Sequence, residues 1–206
     1  MMKIFALFVL LAACAQADKT LYEAMNELRA VLRLAEMGGE WNVFRNADAE
    51  VCAFSNELNR YYPAAFDSIL ADPTYLLLRD RMISGGVAWD EFVVGELKPA
   101  LGVHAIVTCT TLDFGGIERF RGELRSFVDE PLIDATIIRL RGESTAFNEL
   151  HLAIEASQEG ITRIRCASPV QQVFDVMERG GLDFDFVLNI FFGVFLGWDP
   201  VQACAI

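Results

Sequence analysis

Histidine is almost missing from this chain, with two in 206 residues, and basic residues are scarce, 17 Lys and Arg against 29 Asp and Glu. So little imidazole leaves few side chains that exchange protons near neutral pH. The formal net charge of −12 repels phosphate backbones and anionic surfaces, which argues against nucleic-acid partners. There is no CxxC and no HExxH, and His104 and His151 stand alone, so no metal site is expected. A GxSxG elbow and a phosphate-cradling glycine loop are also missing, and Asp113-Phe114-Gly115 matches a kinase triplet with nothing else of a kinase near it. Asp183 and Asp185 are explained by helix capping and the helix dipole. No Asn-x-Ser/Thr sequon occurs, and no apolar run reaches the roughly 20 residues that span a bilayer. Together these absences predict a protein that is not an enzyme and needs no cofactor.

What the chain has in excess is apolar surface, 53% of its residues. Part of it is an address. Met1 to Lys3 is a short positive start, Ile4 to Ala13 is apolar, and Ala15-Gln16-Ala17 places small residues for a signal peptidase, so residues 1–17 read as a signal peptide. Without Lys3 the rest carries 16 basic and 29 acidic residues, a net charge of −13. About 189 residues suffice for one domain with a sizeable core, and the remaining apolar excess must be hidden in a core or a cavity. Four cysteines remain, Cys52, Cys109, Cys166 and Cys204, and an oxidising compartment permits two disulfides in three connectivities.

The chain also repeats itself. Gly85 to Gly102 (GGVAWDEFVVGELKPALG) returns 95 positions later as GGLDFDFVLNIFFGVFLG, and ELRAVL from Glu27 returns 96 positions later as ELRSFV from Glu123. A single-residue indel between Pro73 and Gly85 reconciles the offsets, so the chain divides into a first copy (18–102), a connector (103–113), a second copy (114–198) and a tail (199–206). Cys109 and Cys204 each lie seven residues past the closing glycine, equivalent positions that would meet only near a symmetry axis.

Helical spacing marks Leu21–Met37, Ala49–Arg60, Pro63–Ala71, Thr74–Ser84, Ile117–Phe127, Leu132–Leu140, Thr145–Ala156 and Val170–Arg179. Asp72 and Ser168 precede prolines at two helix starts as capping residues, and both helices end at a glycine pair suited to a left-handed cap. Val103–Leu112 is β-branched and reads as extended. The fold class is all-α. Phe184 to Leu196 is apolar on nearly every side, with only Asp185, Asn189 and Gly193 as a non-apolar stripe, and on periodicity alone it reads as a central core helix.

A proline-led helix, a Gly-Gly turn, an Asp-capped apolar helix and a closing Leu-Gly resemble the insect allergen-related repeat family. The closest stretches are Phe127 to Leu140, Phe147 to Ile164 and Asp175 to Trp198. The resemblance implies two repeats of about six short helices forming a shell around an apolar cavity that holds fatty acids or phospholipids. It also implies secretion into the digestive tract, with peripheral association to the microvillar membrane, nitrile-specifier activity or a structural surface role as other outcomes. On that basis Phe92, Leu97, Leu101, Val187, Ile190, Phe191, Val194 and Phe195 are the candidate cavity lining. These apolar helices offer one cation, Lys98, so a bound fatty acid is expected to keep its head at an opening or near Lys98, and binding to follow apolar volume with little dependence on whether that head is esterified.

Overall fold

A computed structural model describes residues 18–110, 115–182 and 204. The described residues form helices and no strand, as an all-α fold requires. Thr20 starts α1 (Leu21–Leu32) with a capping box, its hydroxyl accepting from the Glu23 amide while the Glu23 carboxylate accepts from the Thr20 amide. The helix stops at Arg33, whose φ is +50°, and α2 (Leu34–Ala47) follows at once. The single helix expected over Leu21–Met37 is therefore two. Leu32 and Leu34 sit two positions apart, on opposite faces of any one helix, and the break lets both enter the core.

Asp48 caps α3 (Ala49–Ala71), which runs unbroken through Pro63. The sequence places a boundary there. Pro63 is exposed while Tyr62 and Ala65 beside it are buried, so packing on both sides of the proline holds the helix together despite the lost amide donor. Asp72 caps α4 (Pro73–Ser84), its carboxylate accepting from the Thr74 amide at 2.8 Å. After the glycine pair come α5 (Trp89–Phe92), a π-helical turn (Val93–Leu97) and α6 (Lys98–Ala100). Residues 103–110 are neither helix nor strand. The second copy supplies α7 (Gly116–Ser126), α8 (Glu130–Glu143), α9 (Thr145–Glu155), α10 (Gln158–Arg165) and α11 (Ser168–Arg179).

Helix limits coincide at the sequence offset. Both ends of α2 and α8, and the starts of α3 and α9, lie 96 residues apart, whereas both ends of α4 and α11 lie 95 apart. The one-residue change therefore falls where α4 and α11 begin. It also explains why Ser168, expected to cap, does not: it sits one position inside α11, behind Ala167, and makes no capping hydrogen bond. The glycine pairs close alike. Gly86 (φ +83°) and Gly181 (φ +68°) are left-handed, and the amides of Val87 and Leu182 reach back to the carbonyls of Met82 and Met177.

Packing is reciprocal between the copies. Helix α1 packs on α8, and its counterpart α7 packs on α2; α3 packs on α11, and α4 packs on α9 and α10. Contacts exchanged in this way describe a local two-fold relation. At its centre Phe120 of α7 is fully buried against Trp41 and Phe44 of α2, with ring centroids 4.5 and 5.4 Å away. Two equivalent capping residues tie the halves. Buried Asp48 accepts from the Glu50 and Val51 amides of α3 and, through its other oxygen, from Gly116 at 2.8 Å. Buried Ser144 caps α9 by accepting from Phe147, and donates to the Lys19 carbonyl at 2.7 Å.

The disulfides are Cys52–Cys109 and Cys166–Cys204, so the equivalent Cys109 and Cys204 do not meet. Each instead returns the chain to the long helical arm of its own copy, α3 or the end of α10. They close sequence separations of 57 and 38 residues, worth about 4 kcal/mol each by chain entropy. The connector is further clamped by asparagines: Asn59 donates to the Gly102 carbonyl and accepts from the His104 amide, and Asn56 does both with Val107.

Asp48→Ala should cost about 2–3 kcal/mol in urea unfolding, since it removes a cap and leaves the Gly116 amide without its acceptor. Asp48→Asn, which keeps the capping oxygen, should cost about half as much. Acid should weaken the ties as well. Lys19 holds the Glu27 and Glu143 carboxyls below their ordinary range, and Arg163 does the same to Asp72. Folded values that are depressed contribute stability present above the ordinary carboxylate range and lost as pH falls through the folded values. Urea midpoints should therefore hold from pH 7 to about 5 and decline steadily below about 4.

Candidate functional site

Amphipathic stripes build the wall of a cavity of about 480 Å³. From α3 come Tyr62, Ala65, Phe66, Ile69 and Leu70, spaced as one helical face; from α4 come Tyr75, Leu78 and Met82. The second copy contributes Ile154 of α9, Ile161 and Ile164 of α10, and Val170, Val173, Phe174 and Met177 of α11. The volume lies within the roughly 300–1,000 Å³ common for small-molecule sites. Its lining is overwhelmingly apolar.

Of the residues singled out from sequence, Phe92, Leu97 and Leu101 stand on this wall. Val187, Ile190, Phe191, Val194 and Phe195 lie outside the described residues. The stripes of α3, α4, α10 and α11 were missed as lining. Their i, i+3, i+4, i+7 spacing was legible, but it marks burial and does not separate a packed contact from the edge of a void.

Polar groups on the wall are few and mostly engaged. Tyr62 donates its hydroxyl to the Leu101 carbonyl, and burial pushes its phenol far above the ordinary range, so it cannot trade protons. Trp89 donates to the Tyr75 hydroxyl at 3.2 Å, joining α5 to α4. Beside that link Arg79 makes a two-pronged ion pair with Asp90, at 3.1 and 2.9 Å, and the guanidinium holds the Asp90 carboxyl below its usual range. Leu70, Asp90 and Val94 are exposed and mark where the cavity opens. Lys98 and Arg165 are the remaining charged groups of the wall.

Neither histidine is on the cavity wall. His151 is buried on α9, with Nδ1 3.2 Å from Glu155 in a direction unsuited to a hydrogen bond, and burial lowers the pKa of both His151 and His104. Among the described residues no three His, Cys, Asp or Glu side chains gather as a metal site would require, and no helix is long and apolar enough to cross a membrane. The described part of the wall offers shape and apolar area.

A family model described as insect allergen related repeat, nitrile-specifier detoxification, matches residues 20–188. No curated protein and no solved structure matches significantly.

Ala65→Phe should place a ring in the cavity. A polarity-sensitive apolar dye that brightens with the wild-type protein should lose most of its signal with this variant at a similar melting temperature. An unchanged signal would place the dye elsewhere.

Proposed function

The chain belongs to the insect allergen related repeat family, and on that premise we propose that it is a secreted, non-catalytic carrier of fatty acids or phospholipid tails in the digestive tract. One observation carries the reading: helices from both copies meet around an apolar space of about 480 Å³. Burying an aliphatic chain there gains about 0.8 kcal/mol per methylene, and no wall residue is needed to do chemistry for that gain to be realised. Two disulfides and a strongly acidic composition suit an extracellular protein.

A second reading rests on the family description itself, which names nitrile-specifier detoxification. Such a protein would divert glucosinolate breakdown products toward nitriles. Organic extraction of purified protein followed by mass spectrometry separates the two readings: co-purifying fatty acids or phospholipids support the carrier, and nitrile formation in a glucosinolate hydrolysis mixture supports the other.

For a carrier, competition against a fluorescent fatty acid should show affinity rising about fourfold per added methylene until the cavity is full, then levelling. Flat affinity across the series would remove the carrier reading.

A further inference from the structure

The charges around the cavity are the reverse of those on the chain. Acidic residues outnumber basic ones 29 to 17 overall, yet among the described residues the wall has three cations, Arg79, Lys98 and Arg165, and one carboxylate, Asp90. That carboxylate is taken by Arg79, and Arg165 has a partner of its own. Lys98 is left. Its ammonium lies 4.8 Å from the centre of the Phe66 ring, which is also wall, and among the described residues no carboxylate pairs with it. A half-buried ammonium facing an aromatic and aliphatic surface gains only a weak cation–π contact in place of water. It is an unbalanced charge at the edge of an apolar space, in a protein with carboxylates to spare.

Among the described residues the wall is also polarised: Tyr62, Thr74, Tyr75, Arg79, Asp90 and Lys98 come from the first copy, while the second copy supplies aliphatic and aromatic groups except for Arg165. Lys98 has no basic counterpart, since the residue 95 positions on is Gly193. A molecule with one charged end and one apolar end therefore meets a wall with one preferred orientation.

We infer that Lys98 is the head-group anchor of the cavity, and that its ligand is a single-chain amphiphile with an anionic head, carboxylate or phosphate, which supplies the missing counter-ion while its tail lies along α10 and α11. The inference rests on the carrier reading and departs from the expectation that the head group matters little. The sequence offered Lys98 near the end of an apolar helix; its position over Phe66, and the pairing of Asp90 with Arg79, appear only in the fold.

Competition with dodecanoate, dodecyl phosphate, methyl dodecanoate and dodecylammonium tests it in the wild-type protein, Lys98→Met, Lys98→Arg and Arg165→Met. Met keeps the apolar stem and removes the charge. In the wild type at least one anion should bind about tenfold tighter than the ester, and the ammonium weakest. Lys98→Met should erase that preference and leave ester affinity unchanged, and Lys98→Arg should restore it. Whichever anion loses more on Lys98→Met is the head group the site takes. Equal binding of acid, phosphate and ester by the wild type, a comparison that needs no variant, would overturn the anchor and leave the carrier intact. A preference that survives Lys98→Met and disappears in Arg165→Met would overturn the assignment to Lys98. If none of the four binds, the carrier reading falls and the anchor with it.

Discussion

Each copy of the repeat buries part of its apolar surface against the other. The first helix of each packs on the second helix of the other, and the long α3 of the first copy is covered by α11 of the second. That share of the hydrophobic burial is realised only when both halves are present, and the Phe120, Trp41 and Phe44 cluster forms across the junction. Asp48 and Ser144 add direction to this non-directional force. Each is a capping residue whose second polar function reaches the opening segment of the other copy, so helix initiation and assembly of the halves depend on the same buried side chains.

Reciprocal contacts do not make the two copies identical, and the differences shape the site. A one-residue change of offset at the start of α4 and α11 leaves α4 with a side-chain cap and α11 without one. The first copy runs α3 as one helix through Pro63, whereas the matching stretch of the second copy breaks between α9 and α10. The close crossing of α4 and α10 depends on Gly160, where an added Cβ would collide with Thr74. Similarly, Gly38 of α2 admits Pro99, whose Cβ would lie 2.8 Å from any Cβ placed there, so α6 lies directly against α2. Fixed backbones of this kind hold helices at set positions, and a space is left where side-chain volume does not fill the gap between them.

How the cavity meets solvent is governed by polar links more than by apolar packing. Trp89 to Tyr75 and Arg79 to Asp90 fasten α5 to α4 beside the exposed Leu70 and Val94. The π-helical turn at Val93–Leu97 adjoins them, and Glu96 within it is held by Arg29 of α1. One side of the opening is thereby coupled to the first helix of the chain.

Much was legible from residues alone. The all-α class, the Gly-Gly caps, the Asp72 cap and most helix limits follow from local rules, because capping, glycine conformation and 3.6-residue periodicity act within a few positions. The division at Arg33 and the continuity through Pro63 did not, since each depends on what lies across the helix: two leucines needing the same core in one case, burial on both sides of a proline in the other. Cysteine pairing was open for the same reason, as equivalence of Cys109 and Cys204 carries no information about distance. Phe92, Leu97 and Leu101 could be singled out because the family resemblance implied a cavity beside their apolar segment, whereas apolar periodicity alone reads the same for a filled core and for a void. Sequence by itself determined which surfaces must leave water; only the tertiary structure decided where they stop short of one another and leave Lys98 facing the gap, because packing volume and charge pairing are properties of chains brought together in space.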